Sequence, residues 1–153
     1  ISKEGIERTV NVSLMGSFHM AQAGARQLVE QGTGGSILFI SSILAFIPVP
    51  GSLSYNMSKA AMNHMAITMA RELAPHRIRV NVIEPGWIDT PGERQFSTEK
   101  EMIEGGKSLP WGRLGTIEDI GKPAAFLSSK DADYITGSIL RVDGGFSLEH
   151  KMD

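Results

Sequence analysis

The chain has 153 residues, 41% of them apolar and 21% charged, a balance that suits one globular domain with a core of its own. A formal net charge of -2, without any basic cluster, argues against a nucleic-acid surface or a polybasic membrane anchor. The absence of cysteine excludes disulfides, thiolate metal sites and cysteine nucleophiles, and it fits a reducing cytoplasm.

The first residue is Ile1, and the opening segment is already helical in pattern. The expectation is therefore a chain that was processed or that continues a longer one. No apolar run approaches a membrane span, and no signal peptide pattern is visible. Ser2 can cap a helix running to about Gln31, with Ile6, Val10, Leu14, Ala21 and Leu28 at helical spacing. Glycines 32, 34 and 35 end it. Ser36 to Ile40 is a short apolar run, as expected of a strand buried on both faces. Pro48, Pro50 and Gly51 break the chain, and a helix from about Ser54 to Ala74 follows, stopped by Pro75. Ile78 to Ile83 reads as a second buried strand, turned by Pro85 and Gly86.

Residues 91 to 115 are polar and rich in glycine, with Thr98 and Glu101 at capping-box spacing for a short helix. Thr116 can cap a further helix to about Ser129, in which Pro123 predicts a kink or break near Asp119. Ile139 to Val142 reads as a third strand, with Asp143, Gly144 and Gly145 behind it and a polar tail from Leu148 to Asp153. Strands alternating with helices predict an α/β fold with parallel pairing. There is no internal repeat, and residues 1–153 read as a single domain.

The chemistry concentrates in Ser42, Tyr55 and Lys59. Tyr55 and Lys59 are four apart, so on a helix they share a face with β-carbons about 5–6 Å apart. A free tyrosine has a pKa of about 10, and lowering it by about three units takes roughly 4 kcal/mol. An ammonium about 4 Å away at an effective dielectric near 20 supplies about that much. The lysine could thus make the tyrosine a usable acid/base. An isolated pair at this spacing is more often an ordinary helix face. Ser42 alters that balance, because it closes a buried parallel strand, where open α/β sheets place their sites. Side chains alternate along a strand, so only one of Ser41 and Ser42 should face the site.

With these residues in order, the chain resembles the carboxyl-terminal part of a short-chain dehydrogenase/reductase. The resemblance rests on Ile40–Ser42, on YNMSKAA at Tyr55–Ala61, on RIRVNVIEPGWIDT at Arg77–Thr90, on Gly112–Ser129 and on YITGSILRVDGG at Tyr134–Gly145. It implies a Rossmann-like doubly wound parallel sheet, of which about three strands and their flanking helices are present, lacking the amino-terminal dinucleotide-binding half. It implies NAD or NADP as cofactor and no metal. Tyr55 would be the general acid/base, Lys59 would tune it and hold the nicotinamide ribose, and Ser42 would orient the substrate oxygen. Pro85, Gly86, Ile88 and Thr90 would embrace the nicotinamide end, Ile88 through its backbone. Gly16 and Phe18 align Ser13 with the family's usual helix asparagine, which holds a water linking the lysine to solvent, so a slower proton relay is expected. Asn11, two residues early, should point to another side.

PGWIDTPGER and the tail resemble members similar to glucose 1-dehydrogenase, which implies a sugar such as glucose as substrate. The GRLG and YITG segments also resemble 3-oxoacyl carrier-protein reductases. The segment from Pro91 to Pro110 resembles a substrate lid. Arg94, Phe96, Met102 and Trp111 are candidates to shape its pocket, and Gly105 and Gly106 fit a moving element. The two long helices would pair subunits into a homotetramer or homodimer. A reading of another class is a non-catalytic remnant or oligomerisation module, with an apolar strand edge left unpaired.

Overall fold

The computed structural model describes residues 1–148. The polar tail beyond Leu148 lies outside the described residues. Three strands, β1 (Gly35–Ile40), β2 (Ile78–Pro85) and β3 (Ile139–Val142), form one sheet in the order β1-β2-β3. Both pairings are parallel, with Gly35 opposite Ile78 and Val82 opposite Ile139.

On one face lie α1 (Lys3–Val10), α2 (Gly16–Gln31) and α3 (Leu53–Leu73), and on the other α5 (Ile117–Ser128). The period of two along each strand divides the core. Phe39, Val80 and Val82 pack with Ala21, Met62, Ala66 and Ala70 under the long helices. Ile83 packs with Leu127 and Ala132 under α5. Small residues on α2 and α3 let both helices sit close to the sheet.

Ser2 caps α1 by accepting from the Gly5 N–H at 3.1 Å, and Gly32, at φ 66°, closes α2. Between α1 and α2 the single helix expected to Gln31 contains a π turn, Asn11–Met15. The Gly16 N–H reaches the Asn11 carbonyl, five residues back, and the Ser17 hydroxyl donates to the Ser13 carbonyl at 2.9 Å. The wider turn changes the helical phase where Ser13 lies. Asn11 is exposed and Ser13 half-buried, so the two do point to different sides.

Pro123 does not break the next helix. α5 runs continuously through it, and its start is fixed by a capping box between Thr116 and Asp119. Arg113 adds a 2.6 Å contact to the Asp119 carboxylate. A well-tied first turn, with Leu127 buried on the sheet, outweighs the one backbone hydrogen bond that proline removes. The short helix α4 (Glu99–Ser108) starts on the expected Thr98–Glu101 box.

Candidate active site

The carboxyl ends of β1 and β2, the first turns of α3 and the loop after β2 enclose a cavity of about 1120 Å³. Ser42, Tyr55, Lys59, Pro85, Gly86, Ile88 and Thr90 all line it. Ser13 does not. It stays in the π turn, which packs on α3 away from the cavity lining.

The local sequence explains the placement. Ser42 ends the strand in extended backbone, caps the 3-10 turn Ile43–Ala45, and accepts from the Leu44 N–H at 3.1 Å. Ser41 takes a different job: its hydroxyl donates to the Lys59 carbonyl at 3.2 Å and ties α3 to the strand. Tyr55 is the third residue of α3, and Lys59 follows one turn later. Gly86 is required by close approach, since a β-carbon there would lie 2.7 Å from Asp143 Cα.

The Lys59 ammonium donates to the Ile40 carbonyl at 2.8 Å and lies 5.5 Å from the centre of the Tyr55 ring. It therefore lies over the Tyr55 ring. The Tyr55 pKa lies above its ordinary value, opposite to the direction expected from the lysine spacing. Burial is the main cause; a hydrogen bond from the Ser42 hydroxyl lowers it, and the Glu93 charge raises it further. Burial lowers the Lys59 pKa. The spacing argument counted the lysine charge alone and left out the cost of burial.

Ile88 forms a parallel bridge with Gly115, in which Gly115 N–H donates to Trp87 C=O and Asp89 N–H donates to Gly115 C=O. Such a bridge turns the N–H and C=O of Ile88 itself away from Gly115. The Ile88 N–H and C=O take no part in the bridge and Ile88 lines the cavity, an arrangement that suits a planar carboxamide, and Lys59 adds a polar group for a ribose. These residues fit the nicotinamide end of a dinucleotide.

Of the lid candidates, only Phe96 lines this cavity. Arg94 is held by Asp89 in two contacts of 2.7 and 2.8 Å, and Met102 is buried; both line a separate hollow. Trp111 packs beside Gly144 on a third. Gly105 and Gly106 serve contact. A β-carbon on Gly105 would meet the Trp87 ring, and one on Gly106 would lie 2.9 Å from the Leu114 nitrogen. Residue spacing did not single out Trp87 or Glu93. The Trp87 indole donates to Glu93 Oε1 at 2.8 Å, and both line the cavity. No local signal marks Glu93, one charge in a polar loop.

Behind the site Glu84 is 2% exposed. It accepts from Asn63 Nδ2 at 2.7 Å and from Arg141 Nε at 3.3 Å, while the Arg141 guanidinium stacks 3.9 Å from the Phe46 ring centre. Among the described residues no group of three or more His, Asp or Glu could hold a metal, and no helix is long and apolar enough to cross a membrane.

A family profile described as Enoyl-(Acyl carrier protein) reductase matches residues 1–147. The (3R)-3-hydroxyacyl-CoA dehydrogenase of Mus musculus is 40% identical over 148 residues, covering 97% of this chain and 57% of that protein. An L-rhamnose 1-dehydrogenase (NAD(P)(+)) of a Sphingomonas species is 40% identical over 141 residues, covering 92% and 56%. Among solved structures, acetoin dehydrogenase from Enterobacter cloacae superposes with TM-score 0.89 at 33% identity, over 100% of this chain and 60% of that one. Thermoplasma acidophilum aldohexose dehydrogenase gives TM-score 0.92 at 29% identity, over 100% and 63%. The chain thus spans little more than half the length of the relatives it matches.

Proposed function

The chain belongs to the short-chain dehydrogenase/reductase family, and on that premise we propose that it is the carboxyl-terminal part of an NAD(P)-dependent oxidoreductase interconverting a secondary alcohol and a ketone. The observation that carries this reading is the meeting of Ser42, Tyr55, Lys59 and the Ile88 backbone on one cavity. Bound nicotinamide would supply the carbon that takes or gives the hydride and, when oxidised, a positive charge near the phenol.

The chain's own residues do the rest. The Tyr55 hydroxyl gives its proton to the substrate oxygen in reduction and takes it back in oxidation. Ser42 holds that oxygen and donates to it as charge develops. Lys59 keeps a positive charge against the Tyr55 ring and reaches the ribose. Ile88, with Pro85, Gly86 and Thr90, fixes the carboxamide end. Ser13 stands in for the family's water-holding asparagine and gives a slower relay.

Two substrate readings remain in play. The PGWIDTPGER segment, the rhamnose relative and the aldohexose dehydrogenase support a sugar such as glucose. The hydroxyacyl-CoA relatives support an oxoacyl thioester. α2 and α3 leave an apolar groove of about 420 Å³ between Phe18, Ala25, Val29, Met69 and Leu73, which supports pairing into a homodimer or homotetramer. The missing cysteines support a cytoplasmic setting. The non-catalytic reading draws support from the outer edge of β1, which has no neighbour among the described residues.

The test is the intact protein assayed with NAD and with NADP on D-glucose and on an acetoacetyl thioester. One of the pairs turns over, and Tyr55→Phe lowers kcat by about a thousandfold or more, with the fold retained. Full activity of Tyr55→Phe would overturn the assignment of Tyr55. No turnover with any pair would favour the non-catalytic module.

A further inference from the structure

The cavity is lined by two charged side chains among the described residues, Lys59 and Glu93. The Lys59 ammonium is engaged by the Ile40 carbonyl. Glu93 opens the 3-10 turn Glu93–Gln95, its N–H donating to Thr90 Oγ1 at 3.1 Å. Its carboxylate is held by the Trp87 indole at 2.8 Å, and Trp87 lies against Gly105, where no side chain competes. The charge is therefore fixed in place. Its second oxygen accepts from no protein donor among the described residues. Leu44, Val49, Phe96 and Phe146 make the neighbouring walls of the same cavity apolar.

We propose that Glu93 is a specificity-determining residue: it admits carbonyls and alcohols that are uncharged beside the reacting carbon and rejects acids. The inference rests on the dehydrogenase reading of the same cavity. An anionic group entering beside the reacting carbon meets a like charge held at the cavity wall, which lowers its binding by about tenfold at an effective dielectric near 20. A neutral ketone meets no such barrier, and a hydroxyl next to the carbonyl can donate to the free oxygen of Glu93. Glu93 also acts on Tyr55. The charged groups facing Tyr55 are Lys59 on its own helix and Glu93 on the lid turn, with neutral Ser42 between strand and helix, and the Glu93 charge disfavours the phenolate.

The experiment uses the intact protein and a pair that differs in charge and by one methyl group, acetoacetate and its methyl ester at neutral pH, with Glu93→Gln as the variant. Glutamine keeps the shape and can still accept from the indole. The wild type favours the ester in kcat/KM by about tenfold or more. Glu93→Gln shrinks that ratio by about tenfold, mainly through the KM of the acid, while any change that acts through Tyr55 is shared by both substrates and cancels in the ratio. A ratio unmoved by the substitution would overturn the proposal. So would a wild type that does not favour the ester. A second readout needs no turnover. In the intact protein the phenolate absorbance that is lost on Tyr55→Phe identifies the Tyr55 titration. Glu93→Gln moves that titration to lower pH; an unmoved curve overturns the proposal. If neither compound is reduced, the titration decides whether Glu93 acts on the site, and the assays on D-glucose and the acetoacetyl thioester decide the dehydrogenase reading separately.

Discussion

Tyr55 is held neutral by its surroundings until something favours the phenolate. Its pKa lies above the ordinary value through burial, against a hydrogen bond from Ser42. The stability that follows from this is complete below about pH 10, the unfolded value, and is lost as pH rises through the higher folded value. Tyr55→Phe should therefore flatten part of the alkaline decline in the urea midpoint, measured from pH 8 to 11. Lys59, lowered by burial, works in the opposite sense, so the substitution is read at Tyr55 alone. Alcohol oxidation needs the phenolate, and the rate in the intact protein should rise with pH from neutral upwards. Ser13→Asn should raise turnover several-fold by restoring a longer polar side chain to the π turn; unchanged turnover at all pH values would show that Ser13 has no part in the relay. The local identity of Ser42, Tyr55 and Lys59 was legible at this scale because each is fixed by its own strand end or helix turn. Lys59's contact with Ile40 was not, since the two are nineteen residues apart.

The elements hold the site through a buried charge. Glu84 on β2, Asn63 on α3 and Arg141 on β3 join one hydrogen-bonded group, and Arg141 continues onto Phe46 beyond the Ser42 turn. Glu84 is nearly sealed, whereas the Arg141 side chain is 41% exposed. Arg141→Met leaves the carboxylate with Asn63 alone. It should destabilise the protein by about 2–3 kcal/mol, below the usual range for a fully buried pair because one partner is already wet. A urea melt measures this, and a change under 0.5 kcal/mol would mean that the pair is energetically idle. In α4, Gly105→Ala should gain about 1 kcal/mol of helix propensity but lose more, because the new methyl strikes the Trp87 ring. A net loss of about 1–2 kcal/mol is expected, with a shift in tryptophan emission. Caps were readable in the sequence at Ser2, Thr98 and Thr116 because each bond closes within three residues. The π turn and the unbroken α5 were not. The first follows from packing of residues 11–15 on α3, and the second from Leu127 seated on the sheet.

At the scale of the whole molecule, the sheet ends at β1, whose outer edge has no strand beside it among the described residues and whose Ile40 is 44% exposed. Unpaired edges with apolar residues recruit other strands. The 153-residue chain alone should associate with rising concentration, and Ile40→Lys should reduce this in sedimentation velocity. The sequence by itself determined the order of elements, the parallel α/β class, the caps, and the serine, tyrosine and lysine that share a cavity. These depend on periodicity, on turn residues and on spacings within one turn or one strand. Tertiary structure alone decided that Lys59 faces the Tyr55 ring, that Glu93 and Trp87 enter the cavity while Arg94, Met102 and Trp111 do not, and that Gly105 is a contact. Each of these joins residues from different elements, and the direction of a side chain across such a contact is set by packing, which no local pattern records.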